Sequence, residues 1–141
     1  MPPNNNPNTN TPYADAAGAY GDQAQKNAPS QRDIEARVLL KSAKRLADLK
    51  ETLDTVSAEE IEEALKYNRQ IWMMFYDTAV ENPNTDSNDA LRSNIINLAN
   101  FIFKREIEIT AAPDAQKFDV LININKEIAA GLMSTAQIEG D

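Results

Sequence analysis

A chain of 141 residues, 42 % apolar and 26 % charged, suits a single soluble domain with a tail. Its 14 basic and 22 acidic residues leave a net charge of −8, which repels nucleic acid. Cysteine and histidine are both absent, which removes disulfides, thiolate chemistry, the commonest zinc ligands and the commonest general base.

Taken from the N-terminus, residues 1–12 (MPPNNNPNTNTP) are almost wholly Pro, Asn and Thr. Residues 13–29 add Ala and Tyr20, but also Gly18, Gly21 and Pro29. So little apolar surface cannot offset the entropy of ordering, and 1–29 is expected to be a disordered Asn/Pro-rich arm, with a short helical turn within 13–29 as the alternative. No secretory signal is visible before Lys26, and no apolar run approaches the roughly 20 residues of a membrane helix. The expectation is a soluble, cytoplasmic protein.

The first firm helix starts at Ser30, whose side chain can cap the first turn, with Asp33 and Glu35 favoured by the positive helix end. Its apolar positions are Ile34, Val38, Leu39, Ala43, Leu46, Leu49, Leu53 and Val56. Lys41, Lys44, Arg45 and Lys50 fill the other side, but Asp48, Glu51 and Asp54 interrupt them, as on a solvated helix surface. Ser57-Ala-Glu-Glu60 is a capping box opening a second helix to about Glu81. Glu59, Glu60, Glu62 and Glu63 suit the helix dipole better than a metal. The cluster at 82–89 (NPNTDSND) lacks the spacing of a calcium loop and reads as a turn in which Ser87 or Asn88 caps the third helix. That helix spans 89–110, Pro113 ends it, and a fourth runs from Asp114 to about 136, before a loose tail at 137–141.

In the second helix Ile61, Ala64, Leu65, Asn68, Ile71, Trp72, Phe75 and Ala79 share one face at helical spacing. Met73, Tyr76 and Val80 form a surplus set on another side, continuing from Arg69. The third helix is again wide, with Leu91, Ile95, Leu98 and Ile102 beside Ile96, Ala99, Phe103 and Ile107. The fourth carries Phe118, Leu121, Ile122, Asn125, Ile128, Ala129 and Leu132. The expected fold is therefore all-α: a small antiparallel bundle of about four helices over 30–136, with the second and third central. Asn68 and Asn125 lie on apolar faces and call for a hydrogen-bonded network between helices.

No carboxylate pair is marked out and no Gly-rich phosphate loop occurs, so the reading is not an enzyme, with no cofactor and no metal. The surplus set Met73, Tyr76 and Val80, with Phe103 and Ile107, is the candidate partner-binding surface, a groove for an amphipathic helix. The alternatives are that helix one or the arm covers this set, or that it forms a homodimer seam.

Four collinear motifs give the chain a family resemblance. Arg32-Asp-Ile-Glu35, Tyr67-Asn-Arg69 with Ile71-Trp72, Asn84 to Leu91-Arg92 with Ile95-Ile96, and Leu121-Ile-Asn-Ile-Asn125 with Gly131-Leu132 resemble the FlaF family of alphaproteobacterial flagellar biosynthesis regulators. The resemblance covers about Tyr13 to Leu132. It departs at Asp89-Ala90, where many members have Leu-Pro, at Lys126, where Arg is usual, and in the extra Asn-rich leader. It implies a cytoplasmic helper of flagellin production and export, acting alongside FlbT, a flagellin messenger regulator of opposing effect. The alternative within that frame is post-transcriptional action on flagellin messenger RNA, directly or with FlbT. The acidic total and the lack of an aromatic–basic pattern argue against direct nucleic-acid binding.

Overall fold

The computed structural model describes residues 10–25, 30–81 and 89–140. They form five helices: α1 (Pro12–Gln25), α2 (Gln31–Glu51), α3 (Ala58–Glu81), α4 (Asp89–Ala111) and α5 (Ala115–Gly140). The all-helical class follows from the periodicity, and the helix count is corrected from four to five.

The addition is α1, inside the arm expected to lack structure. Its cap explains it. The Ala14 amide donates to Thr11 Oγ1 at 3.1 Å, Pro12 occupies the first turn, and Asp15 follows. Residues 1–9 and 26–29 of the arm lie outside the described residues. At the other end α5 continues to Gly140, past the expected start of a loose tail.

The remaining boundaries follow local chemistry. Ser30 and Asp33 close a capping box, with the Asp33 amide donating to Ser30 Oγ at 3.2 Å. α2 stops at Glu51, short of Leu53 and Val56, because residues 52–55 turn and the Val56 amide bonds back to Thr52 O at 2.9 Å. The Glu60 amide donates to Ser57 Oγ at 3.1 Å. The expected cap at Ser87 or Asn88 lies outside the described residues. Between α4 and α5 the Gln116 amide donates to Asp114 Oδ1 at 2.8 Å, and Lys117 Nζ donates to Ala112 O at 2.8 Å, satisfying a carbonyl at the end of α4.

Packing brings α2 against α5 and α3 against α4 as the two closest pairs. α3 and α4 are not the common centre that their wide apolar surfaces suggest. The interior lies between the two pairs and is filled by Leu39 and Leu46, Leu65, Ile71 and Trp72, Ile102 and Ile109, and Phe118 and Leu121, all 0 % exposed. α1 lies on α2 and touches α3. Among the described residues no helix is long and apolar enough to cross a membrane.

Candidate partner-binding face

Along α3 the face turned inward carries a polar chain as well as apolar residues. Asn68 and Asn125 are both 0 % exposed. Asn125 Nδ2 donates to Asn68 Oδ1 at 2.7 Å, and Ser42 Oγ donates to the same oxygen at 2.9 Å. Asn68 Nδ2 donates to Glu106 Oε2 at 2.9 Å, and Trp72 Nε1 donates to Asn125 Oδ1 at 2.9 Å. One network thus joins α2, α3, α4 and α5. Each of these groups would be costly to bury unpaired, so the network selects the register in which they meet.

Glu106 is the network's titratable member. Burial pushes its carboxyl up to about 8, against the Asn68 hydrogen bond and the charge of Arg69, with Glu62 adding to the rise. Arg69 Nη1 lies 3.5 Å from Glu106 Oε1 but also 2.9 Å, through Nη2, from Glu62 Oε1, and it is 35 % exposed. Shared and solvated, that cation only partly offsets the cost of a charge in the interior.

The candidate face lies to one side of this network. Partners of α3 descend along α4 as α3 ascends: Asn68 meets Glu106, Tyr76 meets Phe103, and the Ala79 carbonyl accepts from Arg92 Nε. Tyr76 and Phe103 are half-buried, with ring centroids 6.4 Å apart and planes at 61°. Met73 is 49 % exposed, Val80 45 % and Ile107 72 %. Met73 and Val80 stand one turn to either side of Tyr76, and Ile107 one turn beyond Phe103. The five residues therefore form a stripe over two helices, closed at its middle by the ring contact and open at Met73, Val80 and Ile107.

On the opposite flank of α3 the same helix is covered. Tyr67 is 1 % exposed, and its hydroxyl donates to the carboxylate of Asp15 in α1. Lys41 Nζ donates to the same carboxylate at 2.8 Å, and the Lys41 and Arg45 cations lie 5.4 and 5.6 Å from the Tyr67 ring centroid. Burial alone would raise Asp15, but the bonds from Lys41 and Tyr67 and the nearby cations hold it below its ordinary value. Burial and Asp15 together push the Tyr67 phenol up. The described part of the arm thus covers the Tyr67 flank and not the Met73 stripe.

Sequence reasoning assigned Asn68 and Asn125 to a network but passed over Ser42, Tyr67 and Glu106. The signal was present for two of them. Ser42 falls between Leu39 and Leu46, and Glu106 between Ile102 and Ile109, each at the spacing of a buried face. The basic side of α2 is not free. Lys41 pairs with Asp15, Lys44 with Asp48 at 3.2 Å, and Lys50 with Asp119 at 2.7 Å. Among the described residues no three His, Cys, Asp or Glu side chains gather as metal ligands.

Comparison with known families decides the assignment, because the model of the flagellar protein FlaF matches residues 16–132. The chain belongs to the FlaF family. No curated protein and no solved structure matches it. The FlaF match begins inside α1 and ends late in α5, so the polar network and the Met73 stripe both lie within it. The Asn-rich leader lies outside the match.

Proposed function

We propose that this FlaF-family chain is a non-enzymatic, cytoplasmic binding module that holds flagellin, alone or with FlbT, before export. It receives an amphipathic helix of the partner on the stripe of Met73, Tyr76, Val80, Phe103 and Ile107. One observation carries this reading: Met73, Val80 and Ile107 stand open to solvent on either side of the Tyr76–Phe103 contact and so share one surface, whereas Tyr13, Leu40, Phe101 and Met133 are exposed elsewhere. Met73 adds a flexible, polarizable contact suited to a helix whose surface varies. The paired cations of α2 weaken the RNA reading, since each salt bridge offsets a charge that phosphate contacts would use.

The test is retention of flagellin by the wild-type chain and by Ile107→Asp, whose exposed position leaves the bundle intact. Loss of most of the captured flagellin, at unchanged helicity and melting temperature, is the expected result. Equal capture by both chains removes the stripe as the site. Capture of flagellin messenger by the isolated chain, weakening steeply with salt, would replace this reading with the RNA one.

A further inference from the structure

The docking of α1 differs in kind from that of the other helices. None of its described side chains joins the central apolar cluster. Tyr13 is 60 % exposed, and Ala14, Ala17 and Gly18 face solvent or open space. A Cβ added to Gly18 would meet nothing within 4 Å, and an open cleft of about 510 Å³ lies between Ala14 and Gly18 on one wall and Ile34 and Val38 on the other. Among the described side chains Pro12 is buried, and the polar fastening is concentrated at Asp15, which accepts from Lys41 Nζ at 2.8 Å and from the Tyr67 hydroxyl. Asn10 Oδ1 adds a longer bond from Lys41 at 3.4 Å.

We propose that α1 is a releasable strap, latched across α2 and α3 by the Asp15 carboxylate on Lys41 and Tyr67. Beneath it lie Ile34 and Val38, 1 % and 4 % exposed, and the buried Tyr67 ring. Val38 and Tyr67 belong to the central apolar cluster, and Ile34 stands apart from it. Release lays this flank of α2 and α3 open as a second apolar face, on the opposite side of α3 from the Met73 stripe. The strap is therefore a removable cover for this flank. Its polar latch is one carboxylate that is 31 % exposed and open to competition from salt. A free helix of 14 residues is marginal in water, so undocking and melting of α1 are one event.

Hydrogen exchange of the full chain, followed by mass spectrometry, tests this without asking for a binding partner. In Asp15→Asn the amides of 13–18 are expected to exchange about tenfold faster, the size expected for losing a charge-assisted hydrogen bond. The amides of α3 and α5 should keep their wild-type protection. Tyr67→Phe, which removes only the hydroxyl, should give a smaller rise confined to the same segment. Raising salt from about 0.1 to about 1 M shortens the screening length from roughly 10 to 3 Å, and should loosen α1 in the wild type but not in Asp15→Asn. The proposal is overturned by α1 exchange that ignores both the variants and salt. It is equally overturned if loss of protection spreads through α3 and α5, which would make α1 an integral part of the bundle.

Discussion

The two flanks of α3 offer the clearest contrast in the molecule. Each lies beside the same inward face of Asn68, Ile71 and Trp72, and each carries an aromatic residue, Tyr67 on one side and Tyr76 on the other. The Tyr67 flank is crossed by α1 and anchored through a carboxylate, two cations and a phenol. The Tyr76 flank is partly closed by Phe103 and left open at Met73 and Val80. The lesson is that apolar width on a helix does not say whether a flank is core, cover or contact surface. What decides is whether another element with matching chemistry lies within reach.

The contrast depends on an intact interior, and its largest test removes that interior. Trp72→Ala deletes a ring that is 0 % exposed and leaves Asn125 Oδ1 without its indole donor. About 3–5 kcal/mol of stability should be lost, read by urea denaturation, with both flanks failing together. A loss below about 1 kcal/mol would show that the network is not what the flanks rest on.

The next test is pH. Glu106 has a folded value of about 8 against an ordinary 4.5, so between those limits the unfolded chain releases a proton that the folded chain keeps. Stability from this group is therefore full below about pH 4.5 and declines as pH rises to about 8, by an amount on the order of a few kcal/mol. Glu106→Gln should flatten that decline and be relatively more stable at pH 8 than at pH 5. A decline of the same slope in the variant would assign it to other groups. Asp15 runs the opposite way: its lowered value means the α1 latch is present above the ordinary carboxylate range and lost as pH falls through it.

The smallest effect sharpens the contrast most. Met73→Ser and Ile107→Ser change side chains that are 49 % and 72 % exposed, so each should shift stability by less than about 0.5 kcal/mol in thermal denaturation. A cost above about 1.5 kcal/mol for either would mean that the stripe is packed in solution, and the two flanks would then be alike.

Much of this was legible in the chain itself. Helix starts at Ser30 and Ser57 follow from side chains that cap amides a few residues away, so local sequence is enough. The burial of Ile71 and Trp72 and the need of Asn68 and Asn125 for hydrogen-bond partners follow from helical spacing, whereas their meeting each other is a tertiary fact. α1 goes furthest beyond the sequence reading, which favours an unstructured arm over a short turn, although Thr11, Pro12 and Asp15 carry a helix start. Its Ala/Gly-rich stretch has too little apolar surface to announce a docking site, and the site is made by Lys41 and Tyr67, 26 and 52 residues away.

The stretch 67–76 shows the division most closely. Period and polarity determined by themselves that it is helical and that Asn68, Ile71 and Trp72 face inward. They also marked Met73, Tyr76 and Val80 as surplus. Only the tertiary structure decided that Tyr67 belongs under α1 and that Tyr76 meets Phe103 while Met73 and Val80 stay open. Periodicity is a property of one helix. Cover is a property of which helices meet, and here that depends on pairings of α2 with α5 and α3 with α4 that no local pattern contains.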